Sequence, residues 1–257
     1  MYRERPSVLP GAAVWTKTPG TAPRPVLPDG CTDLIWYDGR LLVAGPDTRA
    51  HLPPAPERAP EAPVVGLRFA PGQGPAAFGV PADALRDLRV PLDELWPGDR
   101  VRRLTDELAA AAAGRTPQAP AGRTPQAPVG RAPEAPEAAP GRALEAAAAA
   151  RLRTAAAPDP ARGLIARAAA RGTPVRELAD AVGVGERQLH RRCLAAFGYG
   201  PKTLGRVLRL VRALDLARSG MPYAQVAAVA GYADQAHLAR EVKALAGAPL
   251  GVVLASG

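Results

Sequence analysis

The 257-residue sequence predicts an α+β chain: a mainly β N-terminal domain over residues 1–113, a low-complexity linker over 114–141, and an all-α C-terminal domain over 142–257. Three features carry this reading. Short β-like runs are confined to the first 70 residues, a proline repeat divides the chain, and one helix-turn-helix pattern is written twice in the last third.

The β-like runs are Ala12 to Trp15, Asp33 to Tyr37, Leu41 to Ala44 and Val64 to Phe69. Asp38-Gly39 stands between two of them, and such a pair between apolar runs is a strong hairpin signal, because both residues tolerate the positive φ of the turn. Leu85, Leu88, Leu92 and Leu95, then Val101, Leu104 and Leu108, recur at spacings that suit short amphipathic helices broken at Pro91 and Pro97.

Residues 114–141 are of another kind. Gly114 to Pro120, Gly122 to Pro128 and Gly130 to Pro136 repeat one eight-residue unit, with Val129 the single larger aliphatic side chain among them. Such a segment cannot bury enough apolar surface to offset its ordering entropy, so a disordered, partly extended spacer is expected. A proline-motif ligand is the other reading of the same repeat.

Helix formers dominate from Ala143 onward, with helices expected from Leu144 to Thr154 and from Ala161 to Ala170. The duplicated pattern follows. Val175, Leu178, Ala179, Gly183, Leu189 and Gly198 recur as Tyr223, Val226, Ala227, Gly231, Leu238 and Gly247, with an offset of 48 up to the first glycine of each copy and 49 after it. Each copy, over about 175–196 and 223–245, reads as a helix, a turn with glycine at its corner and a second helix, the layout of a DNA reader. A lone copy would equally suit an ordinary helical hairpin. Two copies favour a chain that reads two stretches of major groove.

Thr173 is expected as an N-cap with Pro174 at the first helical position. The second helix of the first copy should bury Leu189, Cys193 and Ala196, leaving Arg187, Gln188, His190, Arg191 and Arg192 to bases, phosphates and solvent. In the second copy Asp234 suits an N-cap, Leu238 and Val242 face inward, and Gln235, Ala236, Ala239, Arg240 and Lys243 face out. His237 is expected to combine two roles, touching phosphate and holding the motif together. Residues 201–218 read as one joining helix with Leu204, Val207, Leu208, Val211 and Leu214 on its apolar face, roughly 27 Å long at 1.5 Å per residue.

Charge agrees with that division. Residues 1–141 carry 16 charges of each sign, whereas 142–257 carry 17 basic and 8 acidic side chains, so the net +9 lies wholly in the C-terminal part. Localised basic charge is the footprint of nucleic-acid binding. A solvated surface in an arginine-rich chain is the blander explanation.

The residues Leu178-Ala179, Gly183, Arg187, Gln188, Leu189, Arg191, Arg192, Phe197-Gly198, Gly200-Pro201, Arg209-Leu210, Ala213, Val229 to Tyr232, Asp234-Gln235, His237-Leu238, Arg240, Lys243 and Gly247 to Pro249 resemble the DNA-binding domain of AraC/XylS-type transcription regulators. The resemblance spans about 75 residues, both motifs included. Gly185 stands where that family usually has Ser, Cys193 and Val242 where it has aromatic residues, and Ala236 where it has Ser; a smaller core residue costs a few kcal/mol unless neighbours repack. The resemblance implies a sequence-specific regulator whose partner is double-stranded DNA at a promoter or operator.

Leu27 to Gly30, Asp33 to Ile35, Val43 to Pro46, Val65 to Phe69, Pro71-Gly72, Gly79 to Pro81 and Leu92 to Trp96 resemble, less closely, the uncharacterised sensor-like domain that precedes some AraC-type domains. That resemblance implies a cupin-like β fold able to bind an effector or form a dimer contact. Trp36, Tyr37, Arg68 and Phe69 are the candidate pocket residues, with ordinary β-domain core as their other reading.

An enzyme is not expected. His51, Asp33 and Asp47 are the single acid/base or metal-ligand candidate, too sparse for a metal-binding cupin, and Cys31 and Cys193 have no ligand-like spacing. No cofactor and no metal are expected. A small-molecule effector and RNA polymerase are candidate partners, and both a monomer and a homodimer stay open. The absence of a signal-like N-terminus or a long apolar run leads to the expectation of a cytoplasmic protein. A sequence-nonspecific architectural DNA binder, and an enzyme fused to a DNA reader, are the two other functional readings.

Overall fold

The computed structural model describes residues 1–18, 24–54, 63–113 and 138–255. Among these, six strands, β1 (Tyr2–Pro6), β2 (Ala12–Lys17), β3 (Thr32–Tyr37), β4 (Arg40–Ala44), β5 (Val64–Phe69) and β6 (Arg89–Pro91), form one antiparallel sheet in the order β1-β2-β5-β3-β4-β6. The hairpin expected at Asp38-Gly39 is present, with φ of 48° and 71° and Tyr37 opposite Arg40. The edge strands β1 and β6 were not expected: β1 carries three charged residues and a proline, a composition that hides strand periodicity while suiting an edge.

The sheet buries one face. Val14, Leu34, Trp36, Val43, Leu67 and Phe69 pack beneath α1 (Gly74–Phe78), α2 (Gly98–Ala112) and α3 (Ala138–Leu152). The helix α3 moves the expected boundary at 142: residues 138–141 are helical rather than linker, and α3 completes the N-terminal core through Leu144 and Ala148. Two contacts explain this placement. Gly141 lets the helix approach β2 so closely that a Cβ there would lie 2.8 Å from Val14. The buried Glu145 carboxylate accepts from both Arg5 guanidinium nitrogens, at 3.0 and 2.9 Å, and from the Val8 amide at 3.0 Å. Burial pushes the Glu145 carboxyl up, but its hydrogen bonds from Arg5, Ser7 and Val8 outweigh this and hold it below the usual carboxylate range. The expected linker repeat over 114–136 lies outside the described residues.

The C-terminal part is helical: α4 (Arg162–Ala170), α5 (Val175–Val182), α6 (Glu186–Phe197), α7 (Pro201–Arg218), α8 (Tyr223–Ala230), α9 (Gln235–Ala246) and α10 (Leu250–Ala255). It has two cores that share α7. Leu204 and Val207 from its first half pack with α4, α5 and α6, whereas Leu210, Ala213 and Leu214 pack with α8, α9 and α10. The cap before α5 is Pro174 rather than the expected Thr173, with the extended φ/ψ of −53° and 143° that proline readily adopts.

Candidate nucleic-acid interface

The two copies build the same unit from the same backbone chemistry. Gly183 and Gly231 end α5 and α8 with φ of 70° and 79°, and Gly198 and Gly247 end α6 and α9 with φ of 85° and 73°. A side chain in this left-handed region is strained, which is why glycine holds each corner. Leu189, Cys193 and Phe197 anchor α6 inward, and Leu238, Val242 and Leu245 do the same for α9.

This anchoring decides the outward faces. On α6, Arg187, Gln188, His190 and Arg191 are exposed or close to the surface groove, while Arg192 is half-buried with its Nε 3.8 Å from Asp159. On α9, Gln235, Ala236, Ala239, Arg240 and Lys243 are exposed. His237 is half-buried and faces the turn: its Nδ1 accepts from the Ala233 amide at 3.2 Å, and its ring meets Tyr232 edge-on at 5.4 Å. Of the two roles open to His237 from sequence, these contacts serve the one that holds the motif together.

A concave surface of about 420 Å³ lies between α6 and the head of α7, lined among others by Val175, Glu186, Arg187, His190, Lys202 and Thr203. The His190 ring sits against Gly200, where a Cβ would come within 2.5 Å of it. Lys202 and Thr203 were not singled out from sequence. A cation in the first turn of a helix opposes the macrodipole and is therefore a legible oddity.

The second motif is tied to α7 by charge as well as packing. Arg206 donates through Nε to Glu241 at 2.8 Å and through Nη2 at 3.2 Å, and Arg209 lies 5.1 Å above the Tyr232 ring. The Arg206 hydrogen bonds hold the Glu241 carboxyl below its usual range.

The four expected pocket residues do not converge. Trp36 and Phe69 point into the buried core, whereas Tyr37 and Arg68 project from the opposite face, as the alternation along β3 and β5 requires. On that outer face Arg68 stands 3.3 Å from Asp33, whose Oδ1 accepts from Trp15 Nε1 at 2.6 Å. Burial pushes the Asp33 carboxyl up to about 6 despite Arg68 and Trp15. Of the four, Phe69 alone lines a cavity of about 270 Å³, which lies between Leu9, Gln73 and the α3–α4 connection, with Arg162 at its wall. Among the described residues no group of three His, Cys, Asp or Glu side chains could hold a metal ion, and no helix is long and apolar enough to cross a membrane.

The N-terminal domain touches both motifs. Arg86 Nη1 donates to the Gly198 carbonyl at 3.2 Å, just past the end of α6, and the Ala50 amide donates to the Leu245 carbonyl at 2.7 Å, in the last turn of α9. Leu27 packs on the core of the second motif, and Arg162 Nη1 donates to Gly72 at 3.1 Å.

A family profile described as a helix-turn-helix domain matches residues 178–256, and one described as a domain of unknown function (DUF6597) matches residues 12–91. No curated protein matches the sequence. Similar solved structures include the apo form of a single-residue variant of ToxT from Vibrio cholerae strain SCE256, 10% identical, covering 98% of this chain and 99% of that one with a TM-score of 0.48. ToxT from Vibrio cholerae in another crystal form is 8% identical, with coverages of 95% and 97% and a TM-score of 0.48, and ToxT from strain O395 is 8% identical, with coverages of 95% and 96% and a TM-score of 0.45. With a matched profile over the very segment that forms α5 to α10, the chain is a DNA-binding transcription regulator whose C-terminal part is an AraC-type helix-turn-helix domain and whose N-terminal part is a domain of unknown function.

Proposed function

We propose that the chain reads specific sequence in double-stranded DNA by placing α6 and α9 in successive segments of the major groove. The observation that carries this is the paired asymmetry of the two helices: each buries an apolar face in its own core, and each leaves polar, cation-bearing residues exposed. Arg187, Gln188, His190 and Arg191 on α6, with Gln235, Arg240 and Lys243 on α9, are the assigned contacts. Arg pairs bidentately with guanine and Gln with adenine, so both helices carry side chains suited to base edges. Ala236 serves as an apolar contact for a thymine methyl. Arg192 and His237 have secondary roles, because one faces Asp159 and the other the turn. Lys202 and Thr203 join the surface as phosphate contacts.

The N-terminal domain biases this binding in response to an effector or to self-association. Its contacts with both motifs support that role, and the cavity near Arg162 is the place for a small effector. RNA polymerase is the partner through which a bound regulator would act.

The test is selection of duplexes from a randomised pool, followed by gel-shift titration. The expected result is two recurring half-sites bound at least about a thousandfold more tightly than random DNA. Equal affinity for selected and random duplexes would mean an architectural binder instead.

A further inference from the structure

The two recognition helices are held at their far ends by one body. Each is anchored on α7 along its buried face, and each also meets the N-terminal domain at its C-terminal end, where helix carbonyls lack partners within the helix. Arg86 supplies a donor at the end of α6 and the Ala50 amide supplies one at the end of α9. The two donors come from neighbouring segments, since the Asp87 carboxylate accepts from the Thr48 amide at 2.6 Å and the Asp87 amide donates to the Pro46 carbonyl at 3.2 Å. Residues 46–50 and 86–87 thus form one ledge spanning both readers.

The contact at α6 is close. Gly198 is buried, and a Cβ there would stand 2.6 Å from Pro46 and 3.2 Å from the Ala82 carbonyl. Beside it Tyr199 is 2% exposed with its hydroxyl directed at Gly30, and that hydroxyl has no hydrogen-bond partner among the described residues. An orphaned buried hydroxyl weakens the docked arrangement, since undocking would return it to water. The ledge is therefore specific in shape and releasable in energy.

We infer that this ledge, together with α7, sets the separation of the two readers, so that Arg86, Leu27 and the Ala50 segment determine which half-site spacing the protein accepts without touching DNA. The inference rests on the proposed reading of two half-sites. A rigid pair of readers tolerates one spacing, because a base pair added between half-sites shifts the second by about 3.4 Å and rotates it around the duplex. Releasing one end leaves only α7 to hold the pair.

The full-length protein and two variants, Arg86→Ala with Leu27→Asp, and Tyr199→Phe, are compared by selection from a randomised duplex pool and by amide hydrogen exchange at Ala50. The double variant should speed Ala50 exchange at least about tenfold, keep the same half-site letters and spread their spacing over neighbouring values. Tyr199→Phe should slow that exchange and keep the single spacing. Unchanged spacing in a double variant whose Ala50 amide has opened would overturn the inference, as would Ala50 exchange that neither variant alters. Faster exchange in Tyr199→Phe would overturn it too. Failure to recover any half-site from wild type would instead refute the reading on which the inference rests.

Discussion

Asp234 and His237 close the head of α9 on itself: the Asp234 carboxylate accepts from the His237 amide at 2.6 Å, while the His237 ring accepts from the Ala233 amide. The equivalent position before α6 is Gly185, whose backbone is extended and which offers no side-chain cap. Two copies of one motif thus start their recognition helices with unequal security.

Asp234→Ala should therefore destabilise the second motif by about 1 kcal/mol, and Gly185→Ser should stabilise the first by a few tenths. Thermal melts of the full chain check both. Equal, negligible effects would show that core packing alone holds these helix starts.

Arg191→Ala and Arg240→Ala should each weaken binding to a selected duplex by about 1 to 3 kcal/mol if they meet bases. Arg192→Ala should cost less, since that guanidinium is half-buried and directed towards Asp159. Gel-shift titrations at one fixed salt concentration rank the three, and a larger loss at Arg192 would reverse the assigned faces.

The tie from Arg206 to Glu241 is partly exposed, so its coupling should be about 0.5 to 1 kcal/mol. A double-mutant cycle of Arg206→Ala and Glu241→Ala measures it. Its loss should also lower affinity for the α9 half-site more than for the α6 half-site, because α6 has no such tie to α7 among the hydrogen bonds and ion pairs between described side chains.

Asp33 carries a pH dependence of defined sign. Its folded carboxyl, pushed up to about 6, binds a proton more tightly than the unfolded one. Its contribution to stability is therefore fully present below about pH 4 and lost as pH rises through 6, a change on the order of 3 kcal/mol. Asp33→Asn should remove that slope from the difference between wild-type and variant melts between about pH 4 and pH 7. A slope of opposite sign would mean that the Arg68 pairing outweighs burial.

The α+β division and the doubled motif were legible because each rests on local chemistry. Gly183 and Gly231 mark positive-φ corners, Asp38-Gly39 marks a hairpin, and Asp234 marks a helix start, all decided within a few residues. The outward residues of α6 and α9 followed from helical spacing, except Arg192, which is half-buried beside Asp159. The pocket proposed from Trp36, Tyr37, Arg68 and Phe69 failed for an equally local reason, since strand alternation sends the pairs to opposite faces. The edge strands escaped because a solvent-facing edge needs no apolar period.

By itself the sequence determined two helix-turn-helix units, their basic surroundings and the helix that joins them, since periodicity, capping and glycine conformations act over a few residues. Only the tertiary structure decided that α3 belongs with the sheet, because Glu145 finds Arg5 across 140 positions of chain. It alone placed Arg86 and the Ala50 amide at the ends of α6 and α9. Contacts of that range depend on how separate cores pack against one another, and no local pattern in the chain encodes them.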